Sequence, residues 1–166
     1  MAVECEQMMK DVISEVLETM FFAMVEFDEC EPGRPFDYES EIHLVSDKQR
    51  IAISLRVSGE FARMITANFL GIEEYQVNED DLEDSLNELA NMVGGGYHAH
   101  INDPAWQLGL PRVWKIGVEG VDSTQASAGV GFAFFGESAG SAVVNYLPGC
   151  VAALEFTDWK SPGRSQ

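Results

Sequence analysis

The spacing of apolar residues changes twice along this chain, and that change limits the available folds more than any other feature. Between Val3 and Phe27 they recur at Met9, Ile13, Val16, Met20 and Met24, the three-or-four spacing of one helix face. Across Arg50 to Val57 the spacing drops to two. Ile51, Ile53, Leu55 and Val57 alternate with Arg50, Ala52, Ser54 and Arg56, as in a strand with two unlike faces. Beyond Asn78 the helical value returns, and at 100° per residue Leu82, Leu86, Leu89 and Val93 fall in one narrow arc. Helices and hairpins mixed in this order predict an α+β fold, in which long helices are layered on a mostly antiparallel sheet.

Turn and cap residues divide the chain further. Asp28 to Asp37 holds Pro32, Gly33 and Pro35 and reads as a loop. Glu41–Val45 and Arg50–Val57 read as a hairpin turning at Ser46-Asp47-Lys48-Gln49. Ser58 is placed to cap a helix that runs to Leu70 and stops before Gly71. Asn78 is placed to cap a second, whose first turn holds Glu79, Asp80 and Asp81 at the positive end of the helix dipole. After a loop around Asp103 to Leu110, strands are expected at Val113–Val118, Ala128–Phe135 and Ser141–Leu147, the last two joined through Gly136 to Gly140. One domain is expected over residues 1–147, with 148–166 as a C-terminal tail that is disordered at its end.

Charge excludes several partners. Ten Lys and Arg stand against 28 Asp and Glu, for a net charge of −18. Such a chain is repelled by nucleic-acid phosphates and by an anionic membrane surface. The acidic N-terminal residues do not form a secretory signal, and no apolar run is long enough to span a bilayer, so a cytoplasmic protein is expected. Cys5, Cys30 and Cys150 are odd in number and far apart, which points to reduced thiols rather than a disulfide framework or a zinc ribbon.

Three short motifs invite a chemical role, and their context opposes each. Gly136-Glu137-Ser138-Ala139-Gly140 has the letters of a G-x-S-x-G nucleophile elbow, but a strand-like segment follows where the elbow needs a helix, and His43, His98 and His100 all precede the serine. The acidic run from Asn78 to Glu88 has no glycine at the sixth position of a calcium loop, and Leu82 falls at an alternating ligand position. His98 and His100 are two apart, so on a helix they would point about 200° away from each other and could not share a metal, while on a strand they could share a face but have no third ligand near in sequence. What remains is the polar side of the helix opposite the leucine stripe. There Asp84, Glu88 and Asn91, spaced i, i+4, i+7, lie within about 60° of one another. Spacing alone does not separate this row from ordinary solvent-facing polarity.

These residues resemble the signature of the CheC/CheX-like chemotaxis phosphatases, an Asp or Ser, three residues, Glu, two residues, Asn. The run Glu88-Leu-Ala-Asn-Met-Val-Gly-Gly95 is similar to the family's motif-bearing helix, including the glycine four residues after the Asn. Leu110-Pro111-Arg-Val-Trp-Lys-Ile-Gly117 resembles the stretch leading into the family's next strand, and the first helix, with Glu18-Thr19-Met20, resembles the CheX-like branch. The motif occurs once, as in CheX-like rather than two-site CheC-like members. The resemblance covers about residues 1 to 147.

It implies a phosphatase that hydrolyses the aspartyl phosphate of a CheY-type response regulator. Asn91 would orient the attacking water. Glu88 would dock on the partner's active-site Lys, with Asp84 at the rim of the same contact. Mg²⁺ would come from the regulator, so this chain would need no cofactor or metal site of its own. The resemblance also implies a homodimer formed through sheet edges. A non-catalytic chemotaxis or flagellar-switch interaction module on the same fold is the alternative.

Overall fold

The structure is a computed structural model, and it describes residues 2–28, 36–116 and 128–147. The elements in chain order are α1 (Ala2–Met20), β1 (Glu26–Asp28), β2 (Tyr38–Val45), β3 (Arg50–Val57), α2 (Gly59–Leu70), a 3₁₀ turn (Glu74–Gln76), α3 (Glu79–Ile101), β4 (Gln107–Leu108), β5 (Arg112–Lys115), β6 (Ala128–Phe134) and β7 (Glu137–Leu147). The strands form one antiparallel sheet in the order β1-β6-β7-β3-β2-β4, and β5 pairs with β2 beside β4.

The alternation read in β3 decides how the layers stack. Ile51, Ile53, Leu55 and Val57 join Ile42 and Leu44 of β2, Val130 and Phe132 of β6, and Ala142 and Val144 of β7 in one core with the apolar stripes of all three helices. The helices therefore lie on one face of an open sheet. Arg50, Ala52, Ser54 and Arg56 point to the other face, with Glu39, Glu41 and His43 of β2. Turn Ser46–Gln49 closes the β2–β3 hairpin, the Ser46 N–H donating to the Gln49 C=O at 2.8 Å.

Both expected caps are present. Ser58 Oγ accepts from the Phe61 N–H, and Gly71 ends α2 in the left-handed region at φ 69. Asn78 and Asp81 form a reciprocal capping box at the start of α3. Two glycines set how closely α3 packs. A Cβ on Gly94 would lie 2.8 Å from Ile42 Cγ2 and 2.9 Å from Leu108 Cδ1, and one on Gly96 would lie 2.8 Å from Val12 Cγ1 of α1. Each glycine costs a helix about 1 kcal/mol relative to alanine, and here that loss is exchanged for close contact with the sheet on one side and α1 on the other.

Several boundaries differ from the sequence expectation. The first helix stops at Met20, not Phe27. The Phe21 and Ala23 N–H groups both donate to the Leu17 C=O, at 3.2 and 2.9 Å, with Phe22 left-handed at φ 54, so that Phe holds the place at the helix end usually taken by Gly or Asn. Residues Glu26–Asp28 then form edge strand β1. β2 begins at Tyr38 rather than Glu41, and a two-residue strand, Gln107–Leu108, lies inside the expected loop at 103–110. The expected strand at Val113–Val118 is present as Arg112–Lys115, with residues 117 and 118 outside the described residues. The turn between β6 and β7 is Phe135-Gly136, both at positive φ, so Glu137 to Gly140 belong to the strand and not to the hairpin loop. The interior of the loop expected at 28–37 and the expected tail at 148–166 also lie outside the described residues.

Candidate functional site

Asp84, Glu88 and Asn91 all fall within α3, so the i, i+4, i+7 spacing becomes a row about 10 Å long on one side of a continuous helix. Leu82, Leu86, Leu89, Val93 and Tyr97 are buried on the opposite side. Asp84 and Asn91 are exposed, and Glu88 is partly exposed between them. Gly95 continues the row one turn beyond Asn91. Packing on both flanks holds the helix in place: Gly96 lies against α1, Gly94 lies against β2 and β4, and the His98 Nε2 is 2.8 Å from the Trp106 C=O. At the N-terminal end, Arg63 of α2 donates to the Val77 C=O at 2.7 Å, and Tyr38 reaches Glu79 Oε1 at 3.2 Å.

None of the three polar side chains forms a hydrogen bond or ion pair with another described residue. This contrasts with their neighbours on the same helix. Asp81 is taken up by the capping box, and Glu79 pairs with Lys115 at 3.4 Å. The row thus offers two carboxylates and a carboxamide, a group that donates and accepts at once, on a rigid support.

The remaining sequence candidates are not drawn into this site. Ser138 lies in β7 opposite Ala133, so strand, tight turn and strand stand where a nucleophile elbow needs strand, turn and helix. It lines a pocket of about 180 Å³ with Ser58, Glu60, Phe61, Met64, Phe134, Glu137 and Ala139, to which α3 contributes no residue. His98 bonds the Trp106 carbonyl, His100 is exposed, and His43 lies on the far face of the sheet. Among the described residues, no group of three or more His, Cys, Asp and Glu could hold a metal ion, and no helix is long and apolar enough to cross a membrane.

Sequence inspection missed a second polar constellation, on the sheet face away from the helices. Glu39, only 4% exposed, faces Arg56 across the β2–β3 pair at 3.2 Å. Glu41 accepts from Arg112 at 2.7 Å and lies 3.1 Å from His43 Nε2. Burial pushes both carboxyl groups up. In Glu39 burial prevails over Arg56 and its value is raised, whereas in Glu41 the hydrogen bonds and charges of His43 and Arg112 outweigh it and bring the group to about 2. Opposite charges at the polar positions of adjacent strands were the available signal, but it becomes readable only once register is known.

Comparison with known proteins gives the fold its relatives. A family model described as chemotaxis phosphatase CheX matches residues 42–134, a span that includes all of the row on α3. No curated protein gives a significant sequence match. Among solved structures, the chain is similar to the chemotaxis protein CheX from Vibrio vulnificus, with a TM-score of 0.72 at 19% identity over 85% of this chain and 95% of that one. It is likewise similar to CheX in the CheX–CheY–BeF3–Mg²⁺ complex from Borrelia burgdorferi, with a TM-score of 0.70 at 12% identity over 85% and 96%. The middle domain of FliM from H. pylori is more distant, with a TM-score of 0.54 at 11% identity over 95% and 94%. At these identities the structural likeness is one of fold, three helices on a mostly antiparallel open sheet. Since the family model spans more than half of its residues, the chain belongs to the CheX family of chemotaxis phosphatases.

Proposed function

We propose that this protein hydrolyses the aspartyl phosphate of a CheY-type response regulator, with the row Asp84, Glu88 and Asn91 as its working face. The observation that carries this function is a row of polar side chains, on a helix that packs against both other helices and the sheet of a CheX-family fold, that the described residues leave without partners. The Borrelia relative was solved in complex with CheY, BeF3 and Mg²⁺, which supports a partner of this kind.

An aspartyl phosphate is an acyl phosphate, and its hydrolysis by in-line water is limited mainly by positioning and by charge. The receiver brings its own Mg²⁺ and Lys to the phosphoryl oxygens, so this chain supplies no metal. Asn91 enters the receiver's site, and its carboxamide accepts from the attacking water while donating toward the phosphoryl group, which fixes the water in line. Glu88, one turn back, pairs with the receiver's Lys and sets the register of the docked helix. Asp84 lies at the rim. We also propose that the protein is a homodimer joined through sheet edges, which light scattering at micromolar concentration tests directly.

The function is tested by the decay of a phosphorylated CheY-type receiver in Mg²⁺, alone and with catalytic amounts of the protein, wild type beside Asn91→Ala. Acceleration that the substitution abolishes is the expected result. A stable complex without acceleration would instead support a non-catalytic chemotaxis or flagellar-switch module, a role for which the likeness to the FliM middle domain is the relevant observation.

A further inference from the structure

The three consecutive glycines of α3 have different surroundings. Gly94 and Gly96 are explained inside the chain, because a Cβ at either would press on Ile42 and Leu108 or on Val12. Gly95 has no such reason. A Cβ built there meets no atom within 4 Å, and its helical backbone suits any L residue. Alanine would fit and would favour the helix, so the bare position serves nothing within the described chain.

Its location supplies an external reason. At 100° per residue Gly95 lies in azimuth between Glu88 and Asn91, one turn beyond Asn91 and about 6 Å along the axis. Building on the phosphatase function above, we propose that Gly95 is the close-approach point for the main chain of a loop at the rim of the receiver's active site. It is thus a positioning residue through which Asn91 reaches the phosphoryl group. Asn carries the shorter of the two amide side chains. For its carboxamide to enter a recessed centre, the helix backbone must come almost to the mouth. On the N-terminal side Glu88 is long enough to reach the receiver's Lys from a helix held at the mouth. On the C-terminal side any side chain at the azimuth of Asn91 would strike the rim first and lift the carboxamide away from the water. A missing side chain is what that geometry requires.

The test measures binding of a BeF3⁻-activated, Mg²⁺-loaded CheY-type receiver, together with steady-state dephosphorylation, for wild type, Gly95→Ala and Gly95→Leu. Gly95→Ala is expected to raise the urea midpoint of the chain while weakening receiver binding several-fold. Gly95→Leu is expected to weaken receiver binding and to lower kcat/KM by about 100-fold, the scale of a displacement near 1 Å, with the fold intact. Normal binding by Gly95→Leu, or weakened binding that comes only with a lowered urea midpoint, overturns the proposal. If wild type turns over the receiver and Asn91→Ala does not, those results overturn the role of Gly95 alone. If wild type has no turnover, the phosphatase function and this role fall together.

Discussion

Two surfaces of this molecule carry carboxylates in rows, and the chain treats them in opposite ways. On the outer face of the sheet Glu39 is paired with Arg56 of β3, and Glu41 is held by Arg112 of β5 and by His43 two residues along its own strand. On the outer face of α3, Asp84 and Glu88 have no such partners among the described residues and stand beside Asn91 on a helix fixed by tight packing on both flanks. The sheet groups are neutralised within the fold because burial makes an unpaired charge expensive, whereas exposed helix groups need no internal partner and remain free for an external one. Internal pairing thus separates polarity that supports the structure from polarity available for function, although both rows contain the same residue types.

The largest expected effect comes from breaking the sheet pair. Arg56→Ala leaves Glu39 buried without its counter-charge and should cost about 3 kcal/mol, read as a lowered urea midpoint, with receiver dephosphorylation intact wherever the variant is folded. A midpoint unchanged from wild type would show that the sheet face is no more structural than the helix face.

Acid sharpens the same contrast. The Glu41 carboxyl has an ordinary value near 4.5 and is held at about 2 in the fold, so its stabilising contribution is complete above 4.5 and is lost as pH falls toward 2. The difference is on the order of 3 kcal/mol at full expression. Glu39 acts with the opposite sign, because its raised value makes its charge a cost above that value, a cost relieved as pH falls through it. Replacing Glu41 with Gln should therefore flatten the loss of stability below pH 4.5 in thermal melts. Persistence of the wild-type slope would assign the loss to other carboxylates.

The smallest expected effect on stability belongs to the helix face. Glu88→Ala should change the urea midpoint by no more than about 0.5 kcal/mol, as for an unpartnered surface residue. In a binding titration it should weaken the receiver complex about tenfold, or 1.4 kcal/mol. Equal affinity of variant and wild type would remove Glu88 from the docking contact.

What sequence inspection could reach follows from the range of the physics involved. The α+β class, the β3 strand, both capped helices and the row on α3 rest on spacing and caps, which are local, and they stand in the structure at the positions read for them. The end of α1 was missed because Phe22 occupies a left-handed position that sequence rules reserve for glycine. The β6–β7 turn was displaced because Phe135, also left-handed, forms it with Gly136, while Gly140 lies in the strand where a Cβ would meet the Arg56 carbonyl and the Phe132 ring. The roles of Gly94 and Gly96 depend on residues far away in sequence, Ile42, Leu108 and Val12, and no local pattern encodes them. The Glu39–Arg56 pair likewise needed the register of β2 on β3. For the site itself, spacing showed that Asp84, Glu88 and Asn91 share a face, but only the assembled neighbours show that they are open to solvent and without a partner among the described residues.

The central claim is that the row on α3 carries catalysis while contributing little to the fold, and the most direct measurement is of turnover and stability together in Asn91→Ala. Receiver dephosphorylation at saturating receiver should fall by about 100-fold, the lower range for losing a group that positions the reacting water, with an unchanged urea midpoint and near-normal receiver binding. Wild-type turnover by Asn91→Ala would contradict the account, because it would leave this helix face without the catalytic role assigned to it.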